Sequence, residues 1–168
     1  MIKNFISRVI GRLLTARINA AVHAEVEHSL LYRHRVFGSS ERLILAPSAI
    51  VHNALFNTLS GLVIIEEGVC FGHSVSVLTG THNADATGRE REDFPTLGCD
   101  IVIKRGVWIA SNATILGPCI IGEDAVVAAC SLVRNDVPPR TIVAGVPAKI
   151  IRKLAQETDD AKSLESHI

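Results

Sequence analysis

Residues Ile103–Val133 read IKRGVWIASNATILGPCIIGEDAVVAACSLV, with a small aliphatic residue at every sixth position: Ile103, Ile109, Ile115, Ile121, Val127 and Val133. Four residues after each of the first five stands a second small side chain, Val107, Ala113, Cys119, Ala125 and Ser131, so the phase holds across the run. Neither an ordinary helix nor an isolated strand has this beat, and a fixed short period marks a repeat architecture. A six-residue step is a whole number of pleats, so one position per step points inward while its neighbours form a short strand and a corner. Coils stacked in this way bury one continuous core. The corners carry residues that turns tolerate, among them Gly106, Asn112, Gly117, Pro118, Gly122 and Asp124.

The beat recurs earlier as Leu45, Val51 and Asn57, then, two residues out of register, as Leu59, Ile65, Phe71 and Val77. It stops at His82 and resumes at Ile103. The stretch between, Asn83–Asp100, has seven charged residues and no repeat. Loops of that length are usually functional or disordered.

A chain of 168 residues, 48% hydrophobic but only 4% aromatic, fits one compact domain with a core of small aliphatics. The formal net charge is zero, so nothing global points to nucleic acid. Cys70, Cys99, Cys119 and Cys130 lack CxxC spacing, three of them fall on repeat positions, and they read as reduced thiols. Before the coils, Ile2, Phe5, Ile6, Val9, Ile10, Leu13 and Leu14 recur at helical spacing. The first twenty residues hold four cations and no acid, so this amphipathic helix reads either as packing against the coils or a partner, or as lying on an anionic membrane surface. With no apolar run near 18 residues and no signal-cleavage pattern, the expected location is cytoplasmic or peripheral to the inner membrane face.

IKRGVWIA at Ile103–Ala110, VPPR at Val137–Arg140 and AGVPAKIIRKL at Ala144–Leu154 resemble the hexapeptide-repeat acyltransferases, closest in pattern to the sugar O-acetyltransferases. The loop sequence TGREREDFP at Thr87–Pro95 is similar to that of the galactoside, maltose and exopolysaccharide acetyltransferases. The resemblance implies an all-β fold: a left-handed parallel β-helix over 43–147, with the loop 83–100 after His82. An N-terminal helical segment over 1–42 precedes it, and a short C-terminal helix and tail over 148–168 follow. It further implies homotrimers with active sites between subunits, acetyl-CoA as co-substrate, no metal and a saccharide acceptor.

By position, the resemblance makes His82 the catalytic base. An acceptor hydroxyl has a pKa far above 7, so its attack on a thioester needs a group that takes the proton as the bond forms, which an imidazole can do. Coenzyme A would lie near Trp108, against the small residues Ala110 and Ala128. Arg134, Lys149 and Arg152 would meet its phosphates, although Arg134-Asn135 departs from the family's common Thr-Lys. Asn57, His73 and Asp93 are weaker acceptor-side candidates. The implied chemistry is direct transfer to a saccharide hydroxyl. Antibiotic acetylation is the alternative on the same fold, and a zinc β-helical carbonic-anhydrase type or a non-catalytic scaffold come after it. The only His pair with HxxxxH spacing, His23 and His28, falls on the helical segment, where the two point about 140° apart.

Overall fold

The computed structural model describes residues 2–83 and 85–155, with helix side chains from residue 10 onward. It divides into a helical unit ending at Arg33 and a coil unit beginning at His34. The helix, α1, spans Ile2–Tyr32, well beyond the apolar residues that announce it. It contains no proline, and Ala16, Ala20, Ala21 and Ala24 favour its continuation.

The coil unit has three sides. The first carries β1 (Arg35–Phe37), β3 (Leu55–Asn57), β6 (Ser76–Leu78), β9 (Thr114–Leu116) and β12 (Leu132–Val133). The second carries β2 (Leu43–Leu45), β4 (Val63–Ile65), β7 (Ile101–Ile103) and β10 (Cys119–Ile121). The third carries β5 (Cys70–Phe71), β8 (Trp108–Ile109), β11 (Val126–Val127), β13 (Thr141–Gly145) and β14 (Ala148–Lys153). Every pairing is parallel except β13 with β14.

The hexad positions are the core. Ile103, Ile109, Ile115, Ile121 and Val127 are fully buried, as are Val107, Ala113 and Ala125. Asn112 and Asp124 turn their corners with φ of 60° and 54°, a region in which short polar side chains are tolerated.

Three expectations need correction. The coils begin at Arg35, inside the segment expected to be helical, because Arg35–Phe37 pairs in parallel with Leu55–Asn57. In the early beat, Phe56 fills the core and Asn57 and Leu59 are only half-buried. Ile50 to Leu55 takes five steps where Cys70 to Ser76 takes six, and Asn57 to Val63 takes six where Leu116 to Cys119 takes three, so one residue lost before β3 and three gained after it leave the two-residue register shift. Finally, Ala148–Lys153 is a strand instead of the start of a helix: the chain reverses at Val146-Pro147 and β14 pairs antiparallel with β13. The β-branched Ile150 and Ile151 suit that pairing. The rest of the expected C-terminal helix, residues 156–168, lies outside the described residues.

Replacing Ile109 by Ala should lower unfolding stability by about 2–5 kcal/mol. The same change at Ile120, whose side chain is 46% exposed on the second side, should cost less than about 1 kcal/mol. Urea titrations of the two variants check the assignment of inward and outward positions.

Candidate active site

His82 stands just past β6, at the corner between the first and second sides, where the loop leaves the coils. Its Nδ1 lies 2.6 Å from the carbonyl oxygen of Arg91. A carbonyl cannot donate, so the shared hydrogen is on Nδ1, and in the neutral ring Nε2 is the nitrogen with the lone pair. Phe94 sets its ring edge-on to the imidazole, with centroids 5.7 Å apart.

The loop has few contacts of its own. Residues 88–92 form one short 3₁₀ segment, and a Cβ added at Gly88 or Gly98 would meet nothing within 4 Å. Its return limb is tied to the coils. The Arg42 guanidinium donates to the carbonyls of Leu59 and Thr96, both at 3.0 Å, and so links the loop to the enlarged corner. The Asp100 carboxylate accepts from Leu62 N at 2.8 Å, and Cys99 N donates to Ser60 O at 3.0 Å. Asn57 shapes that corner: its Oδ1 accepts from Leu59 N at 3.0 Å, and its amide lies so close to Gly80 that a Cβ there would stand 2.8 Å from Nδ2.

The third side carries the other candidates. Register places Cys70, Trp108, Val126, Ile142 and Arg152 in one row across β5, β8, β11, β13 and β14. Because Ile109, Val127 and Val143 point into the core, this row faces outward, and Trp108 is 53% exposed. Adjacent strands lie about 4.8 Å apart, so Trp108 and Arg152 are separated by roughly 14 Å. Two residues along, Gly72 donates to Ile109 O, Ala110 to Val127 O and Ala128 to Val143 O. These three continue into Ala144, which pairs with Lys149. The two rows make a shallow track with an aromatic and aliphatic wall, a floor of small residues, and a cation at the end of each.

The structure thus brings Trp108, Ala110, Ala128, Lys149 and Arg152 together. Arg134 follows β12 on the first side, away from Lys149 and Arg152 within one chain. Asp93 caps the 3₁₀ segment and is exposed beside Phe94. His73 lies at the corner between the third and first sides, with its ring stacked on His52 at 4.7 Å. That is the other end of β6 from His82. Sequence reasoning missed Ala144, because the last coil is two residues shorter than its predecessors, and it missed the tethering roles of Arg42 and Arg91, which depend on how the loop folds. Among the described residues no group of three or more His, Cys, Asp and Glu side chains could hold a metal ion. A cavity of about 800 Å³ on the second side, floored by Ile44, Ile64 and Ile120, contains none of these candidates.

Residues 100–135 match the bacterial transferase hexapeptide family (six repeats). The likeness of the coils over that stretch is to the hexapeptide-repeat transferases. Over 58 residues, 34% of this chain, the sequence is 50% identical to the Escherichia coli strain K12 protein WbbJ, named as a lipopolysaccharide biosynthesis O-acetyl transferase. That match covers 30% of WbbJ, so the chain spans less than a third of that relative's length. A hexapeptide-repeat acetyltransferase from Vibrio cholerae, solved with acetyl coenzyme A, is 26% identical with a TM-score of 0.53, covering 81% of this chain and 79% of that one. A galactoside acetyltransferase solved with coenzyme A shares the fold at 23% identity and a TM-score of 0.52, covering 79% of this chain and 65% of that one.

All four cysteines are free thiols, and Cys99 and Cys119 are buried. Burial pushes the Cys119 thiol up to about 12, with the Asp136 charge adding to it. The neutral thiol is therefore favoured in the folded state, so its contribution to stability is complete below about pH 8.5 and is lost as pH rises toward 12. At pH 8 a maleimide should label the exposed Cys130 in native protein and spare Cys119, as peptide mapping would show. Chemical denaturation should show stability declining above about pH 9.

Proposed function

We propose that this chain is an acetyl-CoA-dependent O-acetyltransferase that transfers acetyl to a saccharide hydroxyl on a left-handed coil. The observation that carries the reading is the His82 ring, held by the Arg91 carbonyl so that Nε2 is the basic nitrogen, at the point where the coils are interrupted. In this reading Nε2 takes the proton of an acceptor hydroxyl as its oxygen attacks the acetyl carbonyl. The thioester C–S bond breaks, and the imidazolium returns its proton to the departing thiolate. Backbone N–H groups would stabilise the oxyanion. The pantetheine arm would lie along the Ala110, Ala128 and Ala144 floor beside Trp108, with Lys149 and Arg152 meeting phosphates.

The corner that holds His82 is opposite the third side in a three-sided coil. The base and the track on one chain therefore face different ways, and a neighbouring copy must complete the site. This supports the homotrimer with intersubunit active sites, in which Arg134 reaches a phosphate bound to the adjacent subunit. For the acceptor, Asn57, His73 and Asp93 are proposed contacts. The likeness to WbbJ supports a saccharide over an antibiotic.

His82→Ala should lower kcat by about 10²–10⁴-fold while the KM for acetyl-CoA changes little. Ala128→Leu, which fills the track floor, should raise that KM by about tenfold or more at near-normal kcat. Coenzyme A release with mono- and oligosaccharide acceptors measures both, and a fully active His82→Ala protein would end the base assignment.

Among the described residues no helix is long and apolar enough to cross a membrane. Yet α1 leaves Ile10, Leu14, Ile18, Val22, Val26 and Leu30 exposed in a row at every fourth residue. Arg12 and Arg17 lie along it, and no acid precedes Glu25. This pattern supports peripheral contact with an anionic membrane face. The full chain should co-sediment with phosphatidylserine vesicles, lose binding at high salt and ignore phosphatidylcholine vesicles.

A further inference from the structure

The hydrogen bond that fixes His82 is made by a backbone atom of the loop, so something must hold that atom in place. The carbonyl belongs to Arg91, within the 3₁₀ segment Gly88–Glu92. Carbonyls in the last turn of so short a helix have no partner inside it, which leaves the Arg91 oxygen available to the imidazole. The loop does little to restrain this segment by packing: Gly88 enters it at φ +58°, with open space around its α-carbon.

The Arg91 side chain supplies the restraint. Its Nε donates to the carbonyl of Ala86 at 2.9 Å. Ala86 is itself anchored, being only 8% exposed and donating its N–H to Asn83 O at 3.3 Å, in the residues that directly follow His82. Arg91 is therefore linked at both ends. Its side chain grips the outgoing limb of the loop, and its carbonyl meets the ring at the base of that limb.

We propose that Arg91 is the positioning residue of the His82 base. Its guanidinium, closed on Ala86, sets the direction of its own carbonyl and thereby selects the Nδ1–H tautomer. This rests on the reading of His82 as base, but the tautomer can be measured without turnover. In the full chain, ¹⁵N imidazole spectra assigned by comparison with His82→Asn should show a single Nδ1–H form of His82. In Arg91→Ala the ring should become a mixture of Nδ1–H and Nε2–H forms, with kcat reduced by about ten- to a hundredfold and the KM for acetyl-CoA unchanged. Arg91→Lys, which keeps a donor able to reach the Ala86 carbonyl, should restore the single tautomer and most of the rate. An Arg91→Ala protein that keeps the single Nδ1–H form overturns the proposal whatever its rate. A fully active His82→Ala protein overturns the base reading instead, and the spectra still decide whether Arg91 sets the ring.

Discussion

Each coil gives its backbone hydrogen bonds to the coil before it and the coil after it, and the rest of the fold follows from that dependence. A parallel strand two or three residues long has no stability of its own. It exists because residues one coil apart are held in register, as Ile101–Ile103 is between Val63–Ile65 on one edge and Cys119–Ile121 on the other. A slip of one residue would turn Ile103 and Ile121 outward and present Val102 and Ile120 to the core. Extra sequence can therefore enter only at a corner, and it must return the chain to the same register. The loop after His82 does this: Ile65 and Ile103 are neighbours although 38 positions separate them. Asp100 and Cys99 make the return by bonding to the corner at Ser60 and Leu62.

The same register also organises the surface. Once Ile109, Val127 and Val143 are committed to the core, the residues on either side of them align on the outside, and no further device is needed to build a straight track from Trp108 to Arg152. The track is rigid because its floor is backbone already paired on both sides. Small side chains there have a physical reason. At Gly72 even a methyl group would lie 2.5 Å from Ser111 N, and at Ala110 and Ala128 a longer side chain would stand in the path of any extended ligand.

What could be read in the sequence was whatever the register repeats. From Ile103 to Val133 every inward position was legible, because the period there is unbroken. Legibility failed wherever coil length changed. Asn57 sits on the beat, but the corner before β3 is one residue short, so the core position falls to Phe56. Ala144 belongs with Ala110 and Ala128, but the shortened last coil moves it off the spacing. The segment at Ala148–Lys153 has basic and aliphatic residues that suit a helix, and its strand state is set by the partner β13, which local propensity does not see. His82 could be found because it marks a break in the pattern. Arg91 and Arg42 could not, since their partners are main-chain carbonyls, and a carbonyl carries no residue identity.

The two halves of the candidate site thus differ in origin, and the proposed chemistry needs both. A thioester held along paired backbone does not drift, so the acceptor and the base must be brought to it accurately. His82 is exposed and its ring could otherwise turn freely, with either nitrogen outward. One hydrogen bond of 2.6 Å removes that freedom, and it comes from a part of the chain that the coil register leaves unconstrained. The interruption of the repeat is therefore what makes an oriented base available: the carbonyl that meets the imidazole belongs to the inserted loop and not to the ladder of the coils.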